Sequence, residues 1–474
     1  MVEDAFWRPK CGFEVKDNTG HPRRTEGLRS RLDALRPVLG ILFLAGYAWQ
    51  TFAPDSFGMI LFLAAGAVLF VISVPWSSAF HRTFALAALA ALAATILAGR
   101  FELVNFYRGM PAYFGIVAVL LVLSIAGYPI RAARYEIQIR ALMATLTRKG
   151  VGVKATAGAL GHVLGAVLDV GAFVLIDVIT GRSAPKERLE ALKWAGRTFS
   201  FAPLWTNLNV LTATTIVLTG VSYTNLLAVT LPFVLLGLAL TLFFAQRAGG
   251  EVEEIPEAPL DRGAAAVLLY PVLLVTAVAI VNVVFPVLPL TSAIAVTVAV
   301  IVLLIAALAA VLARRTSPLA RLGRETRGSL ASSHAEFALF GSAGILVLSL
   351  QALGALAPLG ALLSALPTVL VAPALGLIMA AGFVAGIHVI PMVLLLNAAF
   401  PLDGGPAPAL WAAALLLGAQ STLLLTPFSS AVTMLSRLTG LHPLEVGPRR
   451  NLGFGLIVGL GSLLYLAVLT FLLL

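Results

Sequence analysis

Long apolar runs most limit what this chain can fold into. A helix needs ~20 apolar residues to cross a bilayer, and the 474-residue chain contains many such runs. Only 11% of the residues are charged, whereas soluble domains carry about 25%. The sequence therefore predicts an all-α polytopic membrane protein embedded in the lipid bilayer. We expect spans at residues 37–53, 57–76, 83–99, 110–129, 199–219, 223–246, 263–285, 288–313, 337–354, 409–436 and 451–473.

Lysine and arginine gather in four segments, and their placement predicts the topology. These segments are the N-terminal tail, the loop before residue 156, residues 314–327 and residues 437–450. Basic residues in short loops mark the cytoplasmic side. All four segments fall on that side only if the stretches 156–198 and 357–400 each enter and leave the membrane on one face. We therefore predict about 11 transmembrane helices plus two re-entrant hairpins, with the N-terminus in the cytoplasm.

The two halves of the chain then repeat one succession of spans, hairpin, broken helix and final span. An odd number of crossings separates the halves, so the prediction is two inverted repeats. The predicted cytoplasmic tail is 1–35, and an acidic linker at 247–262 joins the repeats. The first repeat is 36–246, with hairpin 156–198 and broken helix 199–219; the second is 263–474, with hairpin 357–400 and broken helix 409–436.

Each predicted broken helix combines a proline with hydroxyl or amide side chains. A pair of interrupted apolar segments in corresponding positions of two halves is typical of a transporter binding site. A helix N-terminus inside the membrane offers unpaired N–H groups, which favour an anion. The alternative is ordinary hydroxyl-to-backbone bonding in kinked helices. The predicted substrate-binding residues are Thr206, Asn207 and Asn209 near Pro203, and Ser429, Ser430 and Thr433 near Pro427.

This plan resembles the ion transporter superfamily, especially its divalent anion/sodium symporter branch. The residues that carry the resemblance are those around Pro203 and Pro427, although the Ser-Asn-Thr signature of that branch has no intact copy here. The resemblance implies inverted repeats with re-entrant hairpins and an elevator motion against a scaffold. A homodimer formed through the scaffold is one assembly that it suggests.

Five further polar residues are candidates for ion coupling. Acidic groups at membrane depth usually mark an ion path or a proton relay. Asp169 and Asp177 lie in an apolar run, although Asp177 could instead pair with Arg182. His162 is seven residues before Asp169, and His388 and Asn397 are the polar points of the second hairpin. Buried packing histidines are the alternative for His162 and His388.

The main functional hypothesis is secondary transport of a small anion, a carboxylate or an inorganic oxyanion, coupled to Na⁺ or H⁺. Cation/proton antiport through Asp169 is the alternative, and an intramembrane transferase is a weaker third. We expect no enzyme activity, no cofactor beyond the coupling ion and no resident metal, since ligand spacings and phosphate-binding loops are absent from the sequence. A formal charge of +10 held in short loops favours membrane anchoring, so we expect no nucleic-acid partner and an inner (plasma) membrane location.

Overall fold

The protein is helical throughout the part of the chain that the structure describes. This computed structural model describes residues 23–53, 56–132, 135–180, 184–249, 263–312, 314, 316–387, 389–400 and 407–473, and these contain no β-strand. Seven of their helices are long and apolar enough to cross a membrane: Phe57–Trp76, Ala79–Leu97, Leu103–Ile130, Tyr223–Arg247, Leu290–Leu312, His334–Leu353 and Glu445–Leu473. The prediction of an all-α membrane protein is confirmed. Residues 1–22 of the predicted tail and 250–262 of the predicted linker lie outside the described residues.

The first half contains long helices followed by a series of short ones. Its helices are α1 (Arg23–Phe52), α2 (Ser56–Ser73), α3 (Ala79–Leu97), α4 (Leu103–Ala126), α5 (Tyr128–Ala132), α6 (Tyr135–Arg148), α7 (Val153–Leu168), α8 (Gly171–Thr180), α9 (Pro185–Phe199), α10 (Val210–Thr219) and α11 (Tyr223–Arg247). Pro185 lies in the first turn of α9, where its missing N–H is not needed. With 16 and 10 residues, α7 and α8 are about 24 Å and 15 Å long. Each is too short to cross a hydrocarbon core of ~30 Å.

The second half has a similar succession of elements. Its helices are α12 (Gly263–Val284), α13 (Leu290–Leu312), α14 (Ser317–Ser332), α15 (His334–Leu353), α16 (Ala357–Ser364), α17 (Thr368–Val384), α18 (Val389–Ala399), α19 (Pro408–Thr422), α20 (Ser430–Thr439) and α21 (Arg450–Leu473). A proline again lies in the first turn of a helix, at Pro408 of α19. A short π-helical segment, Glu445–Arg449, leads into α21.

The element boundaries differ from the sequence prediction around the hairpins and the breaks. The stretch 156–198 contains three helices, because α9 is a separate helix that begins at Pro185. The helix before the first break, α9, therefore starts at residue 185, and the irregular part between it and α10 is 200–209. In the second half the irregular part is 423–429. The broken spans consist of helices of 15 and 10 residues, so the number of crossings stays a prediction.

Two groups of helices form the packed interior. In one, α15 packs against α3 and α4, and α4 packs against α13. In the other, α7 lies along α9, and α17 lies along α19. The α7–α9 contact and the α17–α19 contact both depend on glycine. A Cβ added at Gly161 would come within 2.8 Å of the Ala195 backbone, and one at Gly418 would overlap the Gly376 carbonyl oxygen.

The long helices expose large apolar side chains on the outer surface, as expected for a protein surrounded by lipid chains. Leu97, Ile457 and Phe471 are 88%, 75% and 79% exposed, and they belong to helices long enough to cross a membrane. In water, contiguous exposed apolar surface of this kind promotes association. Lipid chains remove that cost, so the exposed leucines and phenylalanines fit the membrane assignment.

Candidate functional site

Both irregular segments are organised by a buried threonine. Thr206 and Thr426 are each fully buried. The hydroxyl oxygen of Thr206 accepts a hydrogen bond from the Leu208 N–H, and that of Thr426 accepts one from the Phe428 N–H, each at 3.3 Å. A threonine hydroxyl that binds the N–H two residues on stabilises a turn in place of helix. Both breaks are therefore stabilised by the same kind of turn, in which a threonine hydroxyl accepts the N–H two residues further on.

The same correspondence continues into the short helices that follow. Asn209 caps α10 by accepting a hydrogen bond from the backbone, and Ser429 caps α20 in the same way. Each helix is 10 residues long and ends at a glycine in the left-handed region, Gly220 with φ +65° and Gly440 with φ +69°. Glycine adopts this conformation without a Cβ clash. The helices α10 and α20 thus have matched beginnings and ends.

The structural register of the two breaks differs from the one expected from their prolines. The sequence interpretation paired Pro203 with Pro427, which gave unequal distances to the following glycines. The hydrogen bonds instead pair Thr206 with Thr426, so that the threonines and the closing glycines are each 220 residues apart, from 206 to 426 and from 220 to 440. Prolines stop helices, whereas these turns are held by threonine, and for that reason the prolines were the wrong markers.

Two predicted site residues, Thr206 and Asn207, hydrogen-bond the first break to neighbouring helices. The Thr206 hydroxyl donates to the Ala166 carbonyl at 3.1 Å, near the end of α7. The Asn207 amide donates to the Val275 carbonyl of α12 at 3.3 Å, and both residues are fully buried. The side-chain oxygen of Asn207, Oδ1, has no hydrogen-bond partner among the described residues. Neither side chain faces the cavity described below, so both hold the break in place.

His162 fixes the same region from α7. Its Nδ1 lies 3.0 Å from the Thr198 carbonyl oxygen, and its Nε2 accepts a hydrogen bond from the Trp205 indole N–H at 3.0 Å. A ring that donates at Nδ1 and accepts at Nε2 is a neutral imidazole with both nitrogens engaged. His162 therefore joins α7 to α9 and to the break, and it does not reach the cavity that contains Asp169.

Asp169 occupies the sharp turn between α7 and α8. Its backbone has φ +50° and ψ −138°, a conformation that glycine adopts and other residues rarely do. The Asp169 carboxylate lies near the Val170 N–H. Asp169 is exposed, and its side chain lines an open cavity. A strained acidic residue facing a cavity is a candidate functional group.

That cavity has a volume of about 340 Å³ and is bordered by four parts of the chain. These parts are the α7–α8 turn, the start of α10, the end of α4 and the α14–α15 junction. The volume is at the lower end of the range for small-molecule sites. Among the described residues, no lysine, arginine or histidine lines it. The polar lining residues are Ser124, Asp169, Asn209, Ser329, Ser332, Ser333 and Glu336.

Glu336 is the second carboxylate of the cavity, and it comes from the first turn of α15. One of its carboxylate oxygens, Oε2, is buried without a hydrogen-bond partner in the described part of the chain. The adjoining wall is held together by a hydrogen bond between the Ser124 and Ser329 hydroxyls at 2.5 Å. Two carboxylates without a basic partner make the cavity electronegative. It therefore favours a cation, or protons on the carboxylates.

The chain was compared with known proteins. No family model matches it, and no curated protein matches it either. Among solved structures it is similar to the YdaH transporter of Alcanivorax borkumensis, with 18% identity and a TM-score of 0.44, over 80% of this chain and 88% of that one. The function therefore has to be argued from the residues themselves.

Asp177 is engaged by a different arginine from the one considered in the sequence. Arg188 of α9 binds it through two hydrogen bonds, Nε to Oδ1 at 2.5 Å and an Nη to Oδ2 at 2.8 Å. The same guanidinium donates to the Leu438 carbonyl in the last turn of α20 at 3.0 Å. Asp177 thus connects α8, α9 and α20, and it lies apart from the cavity. Arg182 lies outside the described residues.

The remaining predicted site residues are not brought together with Asp169. Asn397 is in α18, with its side-chain oxygen buried and unpartnered among the described residues. Ser430 is exposed and Thr433 half-buried, both in α20. Ser429 is buried and used as the α20 cap. His388 lies outside the described residues. Of the eleven predicted residues, Asp169 and Asn209 line the cavity.

Several residues of the site were not expected from the sequence. Glu336 was missed because the predicted span began at residue 337, one position after it. Thr426 was missed because Pro427 was taken as the marker of the second break. Its signal was the equal spacing from Thr206 to Gly220 and from Thr426 to Gly440. Among the described residues, no group of three or more His, Cys, Asp or Glu is placed to hold a metal ion.

Proposed function

We propose that this protein is a secondary active transporter whose coupling cation, H⁺ or Na⁺, binds at Asp169. The observation that carries the proposal is the cavity of about 340 Å³, which contains Asp169 and Glu336 and no basic lining residue. An ionisable group at membrane depth is costly and is normally kept for ion movement. The Asp169 turn is strained as well, so the carboxylate is held there at a cost to stability.

We further propose that the substrate is a small anion, a carboxylate or an inorganic oxyanion, that binds after the cation. The start of α10 reaches the cavity at Asn209 and Val210, and a helix N-terminus attracts negative charge. With both carboxylates ionised, an anion would be repelled. Neutralising them with H⁺ or Na⁺ removes the repulsion and leaves the positive end of α10 exposed to the anion. Conditional binding of this kind couples the two fluxes.

The walls of the cavity suggest which parts move. Asp169 and Asn209 belong to the segment α7–α10, whereas Ser124, Ser329 and Glu336 belong to α4, α14 and α15. We propose that α7–α10 and its counterpart α17–α20 move against the other helices in an elevator motion. The shared turn and cap of the two breaks support an inverted repeat. The basic residues of α14 support a cytoplasmic position for this side of the cavity.

Cation/proton antiport is the second candidate, because the cavity lining favours a cation and the contribution from α10 is only partial. Asn209 already caps α10 by accepting the Leu211 N–H at 3.0 Å, which lowers the number of free donors for an anion. Under antiport, cation or pH alone would change the protein, and every anion would be inert.

The test is thermal stability of the purified protein against a panel of carboxylates and oxyanions, with Na⁺, with K⁺ and at two pH values. A ligand that binds the folded state raises the melting temperature by mass action. Stabilisation by one anion, only with Na⁺ or only at low pH, supports symport and identifies both ions. Stabilisation by cation or pH alone supports antiport.

The matched variants are Asp169→Asn and Glu102→Gln. Glu102 is an exposed residue just before α4 and does not line the cavity. Asp169→Asn should abolish the cation-dependent rise in melting temperature, whereas Glu102→Gln should keep it. A full response in Asp169→Asn would refute the proposed coupling role.

A further inference from the structure

Helix α14 carries three exposed arginines on the face opposite its buried side. Leu322 and Leu330 are 4% and 3% exposed, and they pack α14 against its neighbours α1, α4 and α13. Arg321, Arg324 and Arg327 are exposed. At about 100° per residue, Arg324 lies ~200° around the helix from Leu322, with the other two arginines ~60° to either side of it. The arginines therefore form one basic stripe.

Some arginines elsewhere in the protein bind protein groups. Arg140 donates to the Val178 carbonyl, and Arg197 donates to the Asn451 side chain. The three arginines of the α14 stripe make no hydrogen bond or ion pair with the described residues. A guanidinium has five donors in a planar fork that matches a phosphate oxygen pair. Since none of the described residues occupies these donors, the stripe can bind an anion from outside the protein.

The same helix forms a wall of the cavity. Its last turn and the residue after it supply Ser329, Ser332 and Ser333 to the lining. Its first turn is anchored by a hydrogen bond from the Tyr128 hydroxyl to the Pro318 carbonyl at 2.8 Å. Anything that binds the stripe therefore holds a helix that contributes directly to the proposed transport site.

We propose that α14 lies along the membrane surface and binds the headgroups of anionic phospholipids through Arg321, Arg324 and Arg327. An amphipathic helix with a basic polar face takes this position in the headgroup layer. Anionic headgroups supply phosphate oxygens at high local concentration, and each basic residue near the surface adds to the attraction. Zwitterionic lipid lacks the net charge and should not substitute.

The test uses the full-length protein in neutral detergent, titrated with phosphatidylglycerol or with phosphatidylcholine, and follows the melting temperature. Two variants are compared with wild type, Arg321→Gln/Arg324→Gln/Arg327→Gln and the matched Arg321→Lys/Arg324→Lys/Arg327→Lys, which keeps the charge. Wild type and the lysine variant should be stabilised by phosphatidylglycerol. The glutamine variant should need about 100-fold more of it, ~5-fold for each charge removed. No transport substrate is needed, so the outcome is separate from that of the proposed function.

Three results would overturn the proposal. One is an unchanged phosphatidylglycerol midpoint in the glutamine variant. Another is equal stabilisation of wild type by phosphatidylcholine. The third is equal stabilisation by soluble glycerol phosphate, which would indicate a small-anion site. If the triple variant does not fold, Arg324→Gln alone should still raise the midpoint about 5-fold, and an unchanged midpoint in that variant overturns the proposal as well.

Discussion

The role of Asp169 is best tested by a pair of substitutions that separate its charge from its backbone conformation. Both Asp169→Ala and Asp169→Gly remove the carboxylate. They differ in one respect, because alanine keeps the Cβ that strains a backbone at φ +50° and ψ −138°. Comparing the two therefore cancels every effect of the lost charge on stability.

The size of the difference follows from the backbone strain. A non-glycine residue in such a region costs about 1–3 kcal/mol. Glycine removes that cost, although it loses about 0.5–1 kcal/mol in additional chain entropy on folding. We therefore expect Asp169→Gly to be more stable than Asp169→Ala by about 1 kcal/mol.

The assay has two readouts on the same samples. The free energy of unfolding in mixed micelles should rank glycine above alanine. The rise in melting temperature caused by Na⁺ or by a change of pH should be present in wild type and absent from both variants. Stability and cation response should thus move independently across the pair.

One outcome would refute this reasoning. If Asp169→Gly regained the cation response while Asp169→Ala lacked it, the response would follow the stability of the turn and not the carboxylate. Asp169 would then be a structural residue, and the coupling site would have to lie elsewhere. Equal stability of the two variants would contradict the strain argument alone.

Three further predictions concern the breaks, the ion pair and the topology. Thr206→Val should destabilise the protein by about 1 kcal/mol more than Thr426→Val, because only Thr206 also donates to a helix-end carbonyl; equal unfolding free energies would contradict this. Asp177→Asn should cost about 1 kcal/mol by the same measurement, since its arginine partner is 34% exposed, and a loss above 4 kcal/mol would mean that the pair is more shielded. Cysteines at Arg148 and Arg324, in a Cys11→Ser background, should both react with a membrane-impermeant maleimide from the cytoplasm only, and opposite sidedness would refute the re-entrant hairpin at 156–198.

The sequence predicted the long helices well because the bilayer sets their length. The predicted spans 263–285 and 451–473 correspond to α12 and α21, which end at Val284 and Leu473. An apolar run bounded by polar residues leaves little freedom in where such a helix begins and ends. The helical class follows from the same constraint, since backbone groups in lipid must be hydrogen-bonded within the segment.

The sequence could not predict the turns or the cavity with the same accuracy. The breaks are fixed by side-chain-to-backbone bonds of Thr206 and Thr426, and nothing in a proline pattern reveals such bonds. The cavity joins residues far apart in the chain, such as Ser124 and Ser329. Only tertiary packing brings these together, so Glu336 and the α14 serines had no sequence signal that linked them to Asp169.

The two inter-helix turns that correspond under the proposed repeat differ in one informative residue. The turn between α17 and α18 has its positive φ at a glycine, Gly386 with φ +93°. The turn between α7 and α8 has its positive φ at Asp169 instead. The turn in the second half is therefore unstrained, and the turn in the first half is strained, although each turn joins two consecutive helices. A glycine at 169 would serve the fold at least as well, so the fold does not explain the aspartate. What the aspartate adds is a carboxylate facing the cavity, and we therefore place the coupling cation in the first half of the protein.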